Sequence, residues 1–126
     1  SKEVGLELVD QAIENARINA SKNGVEHAFF VKGDMKDTFN ETLILQYGHP
    51  NVLITDPPRA GMHPDVITQL LDLKAPKIIY VSCDSSTLAR DLALLSEAYS
   101  IDAIQPVDMF PQTYHIETVA ALTSKL

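Results

Sequence analysis

The sequence predicts an α/β domain whose mostly parallel sheet is covered by helices on both faces. Short apolar segments alternate with amphipathic segments over most of the chain, which is typical of strands joined by crossover helices. The last two apolar segments, residues 100–110 and 115–126, have only the turn-like PQTY between them, and this indicates an antiparallel strand at the end. No repeat, low-complexity tract or linker interrupts the pattern, so we expect one domain over residues 1–126.

Each predicted element rests on a local pattern. Before the closing pair, strands are predicted at residues 4–8, 27–34, 51–58 and 77–83. Helices are predicted at residues 9–24, 37–48, 63–76 and 85–98. In the first helix, apolar side chains recur every three or four residues, and Asn23-Gly24 is a typical helix end. Gly48 ends the second helix, and Pro64 suits the first turn of the third.

The composition bounds the class of protein. Of the 126 residues, 45% are hydrophobic, which is enough for one folded core. No apolar run approaches the roughly 20 residues of a membrane helix, and a single cysteine excludes an internal disulfide. We therefore expect a soluble cytoplasmic domain with no membrane partner. The net charge of −7 makes the chain a poor binder of nucleic acid by itself.

Polar residues stand where the predicted strands end, and ligands of open α/β sheets bind beyond those carboxyl ends. Glu7 closes the first strand, where a carboxylate can accept hydrogen bonds from ribose hydroxyls. It can equally be an acid that interacts with the dipole of the next helix. Asp34 follows the second strand and could meet an adenine edge, although an ordinary turn aspartate fits as well.

The segment DPPRAG, residues 56–61, carries more information. Two prolines cannot continue a central strand, and they stiffen the backbone where the Asp56 carboxylate emerges. Gly61 allows a close approach of the loop. A stiff, acid-bearing loop at the carboxyl edge is suited to holding a cofactor or a substrate. The alternative is a strand-ending turn with a surface ion pair.

Cys83 lies at a predicted junction between a strand and a helix. A free cysteine usually behaves as a small buried hydrophobe. Here it precedes a run of good helix-capping residues: Asp84, Ser85, Ser86 and Thr87. A thiol beside a helix N-terminus is favoured as the thiolate, which is the nucleophilic form, whereas the Asp84 carboxylate would oppose a nearby thiolate.

Glu117 lies within the apolar last strand. A carboxylate buried between Ile116 and Val119 would be poised for proton transfer. The alternative is an outward-facing residue on an edge strand. The histidines lack the spacing of a metal site, so no metal is predicted.

Three ordered motifs resemble one family. DPPRAG, VSCDSSTLARDL and VDMFPQTYHIETVAAL are similar to the carboxyl-terminal part of the catalytic domain of RNA uracil-C5 methyltransferases, which make 5-methyluridine in ribosomal or transfer RNA. The resemblance extends back through VGLELVDQAIENARINASKNG and so covers essentially the whole chain.

The resemblance implies a Rossmann-like methyltransferase fold that uses S-adenosylmethionine. It implies that Cys83 is the nucleophile, which adds to C6 of the uracil, and that Glu117 then removes the C5 proton. It also implies that Glu7, Asp34 and Asp56 contact the cofactor, and that Arg59 orients the cysteine loop or the target nucleotide.

The sequence departs from the family in two respects. Asp84-Ser85 replaces the common Asn-Pro after the cysteine, which puts the electrostatics of that loop in question. The glycine-rich first motif, the strand that bears it and the amino-terminal RNA-binding domain are absent from residues 1–126. We therefore expect a fragment of a longer protein that is inactive by itself and prone to self-association through unpaired strands.

Two other functions stay open at this point. Methyltransferases that act on exocyclic amines also carry an acid-Pro-Pro loop, but typically with an aromatic residue where this chain has Arg59. A non-catalytic binding module would fit the acidic charge and the absent cofactor loop.

Overall fold

The computed structural model describes residues 2–125, which divide into two compact units at the junction of Gly48 and His49. The first unit alternates strands and helices: β1 (Glu3–Glu7), α1 (Asp10–Lys22), β2 (Ala28–Lys32), α2 (Met35–Thr38) and α3 (Glu41–Tyr47). Strands β1 and β2 pair in parallel, with Glu7 opposite Lys32. This pairing confirms the predicted strand–helix–strand start of the chain. A single domain over residues 1–126 stays a prediction.

The single helix predicted at residues 37–48 is wrong. The segment forms two short helices, because two polar side chains each begin a new helix. Asp34 accepts a hydrogen bond from the backbone N–H of Lys36, and Asn40 accepts one from that of Leu43. Asn40 has an extended backbone (φ −136°), so it ends one helix and caps the next.

The second unit contains the larger sheet. Its elements are β3 (Val52–Thr55), α4 (Pro64–Leu73), β4 (Lys77–Ser82), α5 (Ser85–Leu95), β5 (Tyr99–Val107) and β6 (Glu117–Ser124). The strand order is β3-β4-β6-β5. Strand β3 is parallel to β4, and β6 is antiparallel to both β4 and β5. The predicted antiparallel last strand is therefore confirmed, and it lies inside the sheet.

The position of β6 determines which ends of the strands meet. Because β6 runs against β4, it begins at the edge where β4 ends. Ser82, the last residue of β4, stands opposite Thr118, the second residue of β6. The start of β6 and the carboxyl end of β4, which Cys83 follows, therefore lie at the same end of the sheet.

The core of the second unit is apolar and tightly closed. Helix α4 buries the side chains of Val66, Ile67, Leu70 and Leu73, and α5 buries those of Leu88, Leu92 and Leu95. The sheet contributes fully buried side chains from three strands: Ile78, Tyr80, Tyr99, Ala120 and Leu122. Among residues 2–125, no helix has the length and apolar character needed to cross a membrane.

Tyr99 tests the closure of this core. Its side chain is 1% exposed, and its hydroxyl donates a hydrogen bond to the backbone oxygen of Ala75 (2.8 Å). Replacing Tyr99 by Phe leaves that oxygen without its donor, so we expect a loss of about 1–3 kcal/mol in unfolding free energy, measured by urea denaturation. Tyr114, which is 88% exposed, is the matched control. Tyr114→Phe should be neutral, and an equal effect of the two changes would contradict the prediction.

Candidate active site

The candidate site lies at the end of the second unit's sheet where β3 and β4 finish and β6 begins. Asp56 follows the last residue of β3, Cys83 follows the last residue of β4, and Glu117 begins β6. The β4–β6 register ends with Ser82 opposite Thr118, and Cys83 and Glu117 are the residues that come directly after Ser82 and directly before Thr118. The two residues that the sequence predicts to be nucleophile and base therefore lie at the same end of the sheet, next to its last β4–β6 pair.

Cys83 is held at the junction of β4 and α5. The Ser82 hydroxyl donates to the backbone oxygen of Asp84 (2.8 Å) and accepts from its backbone N–H (3.0 Å). This pair of bonds fixes the turn around the cysteine. The thiol is half-buried and makes no hydrogen bond to any of residues 2–125. It is therefore neither a filled core position nor a fully exposed thiol.

Asp84 is the cap of α5. One of its carboxylate oxygens accepts hydrogen bonds from the backbone N–H groups of Ser86 (2.9 Å) and Thr87 (3.1 Å). Two of the backbone N–H groups at the start of α5 are therefore engaged by Asp84 and are not available to the Cys83 thiol.

Glu117 is half-buried at the start of β6. Strand β6 is paired on both sides, with β4 and with β5, so the alternative of an edge strand is wrong. Thr118, Ala120 and Leu122 point into the core, and Glu117 belongs to the opposite face of the strand.

Arg59 joins the DPPRAG loop to both neighbouring segments. Its backbone oxygen accepts a hydrogen bond from the Thr87 hydroxyl (2.8 Å), in the first turn of α5. Its guanidinium Nη2 lies 2.7 Å from Nδ1 of His115, two residues before Glu117. A guanidinium can only donate, so the imidazole nitrogen is the acceptor. The loop is thus tied to the helix after Cys83 and to the segment before Glu117.

The buried carboxylate of Asp91 is hydrogen-bonded to the same loop. Asp91 of α5 is 0% exposed. Its Oδ2 accepts hydrogen bonds from the Tyr80 hydroxyl (2.6 Å) and from the backbone N–H of Met62 (2.8 Å). Its Oδ1 accepts from Nη2 of Arg90 (2.9 Å), which also donates to the backbone oxygen of Ala60 (2.8 Å). Burial, and then the bond to Asp91, raise the pKa of Tyr80, so the phenol stays a donor.

Gly61 leaves the room that this network needs. Its φ of +78° is in the left-handed region, and a Cβ there would lie 2.7 Å from Oδ2 of Asp91 and would overlap the Arg90 guanidinium. The close approach that the sequence predicted for Gly61 therefore has identified neighbours.

Asp56 is exposed and forms no hydrogen bond or ion pair with the described residues 2–125. Its carboxylate is therefore available to a ligand. Across the same residues, no group of three or more His, Cys, Asp and Glu side chains is arranged to hold a metal ion.

Glu7 and Asp34 belong to the first unit, and both are exposed. Oε1 of Glu7 accepts from the backbone N–H groups of Leu8 and Val9 (3.1 Å each), just before α1 begins. These two N–H groups precede the first helical residue, Asp10, and they engage one carboxylate oxygen. Asp34 caps α2, which accounts for its side chain. Cofactor contact by either residue stays a prediction.

A family comparison gives this geometry its context. The family model of tRNA (uracil-5-)-methyltransferase matches residues 5–125. The chain belongs to this family. An RNA methyltransferase of Bacteroides thetaiotaomicron, itself uncharacterised, is 51% identical over 119 residues, which cover 94% of this chain and 26% of that protein. One from Listeria monocytogenes, also uncharacterised, is 46% identical, over 98% of this chain and 27% of that protein. The chain thus spans about a quarter of these relatives.

Solved structures agree with the family. The tRNA (uracil-54, C5)-methyltransferase of Pyrococcus abyssi, in complex with S-adenosyl-L-homocysteine, superposes with a TM-score of 0.82 at 36% identity. The match covers 97% of this chain and 29% of that one. An rRNA methylase of Streptococcus thermophilus matches with a TM-score of 0.70 at 12% identity, over 98% of this chain and 73% of that one, a likeness of fold. The predicted Rossmann-like methyltransferase fold is confirmed.

The departure from the family's Asn-Pro has a local explanation. Asp84 makes the capping bonds for which asparagine is equally suited, and Ser85 takes the first helical position, where proline is common. The helix therefore begins at the place after the cysteine where Asn-Pro would start it.

Four residues of this site were not predicted from the sequence, namely Tyr80, Arg90, Asp91 and His115, and Thr87 was predicted only as a helix-capping residue. One signal was available for Asp91, because Leu88, Asp91, Leu92 and Leu95 share one apolar helical face. A carboxylate on such a face requires a buried partner. No comparable signal marked His115 as the partner of Arg59, since the two residues are 56 positions apart.

Gly61→Ala tests the fit of the loop, with Gly24→Ala as the matched control. Both glycines have positive φ (+78° and +66°), but a Cβ on Gly24 meets nothing within 4 Å. Both variants should lose roughly 1–2 kcal/mol from left-handed backbone strain. Gly61→Ala should lose about 1–3 kcal/mol more, because it displaces Arg90 and Asp91.

Hydrogen exchange of the strand amides in the unit that carries each glycine measures these losses. Equal losses in the two units would show that the loop has room to move away from the buried carboxylate, against the prediction.

Proposed function

We propose that the protein containing this chain methylates C5 of a uracil in RNA, with Cys83 as nucleophile and Glu117 as base. The observation that supports this most directly is the β4–β6 register, which ends with Ser82 opposite Thr118 and so brings Cys83 and Glu117 to the end of the sheet where Asp56 also emerges. Membership of the tRNA (uracil-5-)-methyltransferase family supports the choice of base and of ring position.

The two residues divide the chemistry between them. Uracil C5 is a weak nucleophile, and attack of the Cys83 thiolate on C6 forms a C–S bond and moves the electron pair of the C5–C6 double bond into an enolate. C5 of that enolate would form a C–C bond to the methyl group of the donor as its S–CH₃ bond breaks, and the sulfonium sulfur would leave as a neutral thioether. Glu117 then takes the C5 proton, the double bond re-forms, and the electrons of the C–S bond return to the sulfur. The thiolate is regenerated, and Glu117 is left protonated.

S-adenosylmethionine is the proposed methyl donor, and it supplies an electrophilic methyl group when it is bound. The chain offers carboxylates that suit its polar groups. Glu7 has one oxygen engaged by backbone N–H groups and leaves the other for a ribose hydroxyl. Asp56 is exposed and unengaged within the described residues. Asp34 is a weaker candidate, because its carboxylate caps α2.

The substrate class is ribosomal or transfer RNA, and the site of action is the cytoplasm. The target uridine must leave its stack, because Cys83 needs access to C6 from one face of the ring. The chain carries a net charge of −7, so we assign most phosphate contacts to other parts of the protein. Arg59, which is hydrogen-bonded to His115 and to Thr87 of α5, is the proposed orienting cation.

Methylation of an exocyclic amine is the second candidate function, and the site favours it less. Such enzymes use an aromatic residue after the acid-Pro-Pro element to stack on the base. Here the position holds Arg59, whose guanidinium is engaged by His115. Methylation of an amine also needs no thiol nucleophile, because the amine nitrogen is itself nucleophilic.

Cys83→Ala and Glu117→Gln in the full-length protein should separate the two steps. Cys83→Ala should abolish 5-methyluridine formation and the covalent complex with RNA that contains 5-fluorouridine. Glu117→Gln should lower turnover by about 10²–10⁴-fold and accumulate a covalent complex with ordinary RNA, because the C5 proton has no acceptor. Denaturing gel electrophoresis and nucleoside mass spectrometry give the readouts.

His49→Ala, which changes an exposed histidine without a proposed role, is the control variant for this pair. Persistence of C5 methylation in Cys83→Ala would overturn the mechanism. Methylation of an amine that survives this change would support the second candidate function.

The isolated polypeptide of residues 1–126 should not transfer methyl groups to RNA. Its sequence contains no glycine-rich loop of the family's first motif, and unpaired strand edges should make it self-associate. Incorporation of radiolabelled methyl groups, calorimetry with S-adenosylhomocysteine and light scattering measure the three properties. Methyl transfer by this polypeptide would contradict the prediction. Binding of S-adenosylhomocysteine would exclude a binding module that lacks a cofactor pocket.

A further inference from the structure

We propose that Arg90 and Asp91 are positioning residues for the reaction at this edge, and this inference rests on the function proposed above. They hold the segment Asp56–Met62, here called the proline loop, in the one conformation that presents Asp56 and Arg59 to the site. Neither residue touches the reacting atoms; they act through the backbone of the proline loop.

Asp91 connects three elements at one buried point. Its carboxylate accepts from Tyr80 on β4 and from the backbone N–H of Met62 at the end of the proline loop. Because Asp91 is on α5, the strand that leads to Cys83 and the helix that follows it are bound to the same loop. A shift of the proline loop would remove the Met62 donor from a fully buried carboxylate, which is costly.

Arg90 extends this hold to the middle of the loop. It is paired with Asp91 by Nε and Nη2, and Nη2 also donates to the backbone oxygen of Ala60 (2.8 Å). Ala60 follows Arg59, whose guanidinium lies against His115. The Arg90 contact is therefore one peptide unit away from the residue that reaches the Glu117 segment.

The three α5 residues that hold the loop share one face of the helix. Thr87, Arg90 and Asp91 are spaced by three and four positions, and they bond to Arg59, Ala60 and Met62 respectively. Helix α5 begins two residues after Cys83. The helix that starts at the nucleophile therefore sets the position of the loop that carries Asp56.

Stability by itself does not explain a buried charge here. Replacing a buried ion pair with apolar side chains of similar volume is often neutral or stabilising. The carboxylate instead fixes the relative positions of its partners, because its two oxygens accept hydrogen bonds from donors on the proline loop, β4 and α5. These fixed positions maintain the geometry of the proposed site.

Asp91→Asn in the full-length protein is the sharpest test. The amide keeps the size of the side chain but has one acceptor oxygen. With that oxygen on Tyr80 and Met62, its NH₂ group faces the Arg90 guanidinium, donor against donor, so Arg90 should release Ala60. We expect turnover to fall by about 10²-fold and binding of S-adenosylhomocysteine to weaken, since a loop displaced by about 1 Å misplaces Asp56.

Leu92→Ala is the matched control. Leu92 is the next residue of α5, 5% exposed, and its truncation leaves a cavity in the core that should lower the melting temperature clearly. Both variants are assayed well below their melting temperatures. A structural role predicts that activity falls in proportion to lost stability, so Leu92→Ala should be the worse enzyme. A positioning role predicts near-normal turnover for Leu92→Ala and a large loss for Asp91→Asn.

Arg90→Lys keeps the proposal testable if Asp91→Asn fails to fold. The Arg90 side chain is 51% exposed, so the change should be tolerated, and lysine keeps the charge but loses the fork that reaches Asp91 and Ala60 together. We expect a smaller loss of turnover, in the same direction. Wild-type turnover and wild-type affinity for S-adenosylhomocysteine in both variants would overturn the proposal. Absence of C5 methylation in the unmodified protein would instead overturn the proposed function.

Discussion

The antiparallel pairing of β6 between β4 and β5 is the constraint on which the rest of the site depends. Strands that follow crossover helices all end at one edge, which brings Asp56 and Cys83 together but would place the start of another parallel strand at the far edge. Only a strand that runs the other way begins where Cys83 is. A slip of one residue would expose Ala120 and Leu122 and bury Glu117, so the burial of the core fixes the register that the chemistry needs.

Helix α5 links this sheet edge to the proline loop. It starts from the Asp84 cap directly after Cys83, and within two turns its side chains bond to Arg59, Ala60 and Met62. The bonds from α5 to the proline loop go to backbone atoms, so they determine where the loop runs without engaging its side chains. Asp56 therefore stays unengaged within the described chain, while the backbone of its loop is held at three points.

The sequence predicted the elements that local or periodic patterns determine. It did not predict the features that depend on hydrogen bonds of polar side chains. Apolar alternation was sufficient for the strands, the flanking helices and the reversed last strand. The helix predicted at residues 37–48 was wrong because the Asn40 side chain competes for the backbone N–H of Leu43, an effect that apolar spacing does not register. The contact of Arg59 with His115 depends on tertiary folding across 56 residues. A buried role for Asp91 could have been predicted, because its position on an apolar helix face is visible in the sequence.

The Asp84 carboxylate is committed to the start of the helix that follows Cys83. One of its oxygens accepts hydrogen bonds from the backbone N–H groups of Ser86 and Thr87, at the positive end of the α5 dipole. These two N–H groups are therefore not available to an anion elsewhere at the helix start. Because aspartate and asparagine cap helices about equally well, α5 begins directly after Cys83 without needing the asparagine that is common in the family.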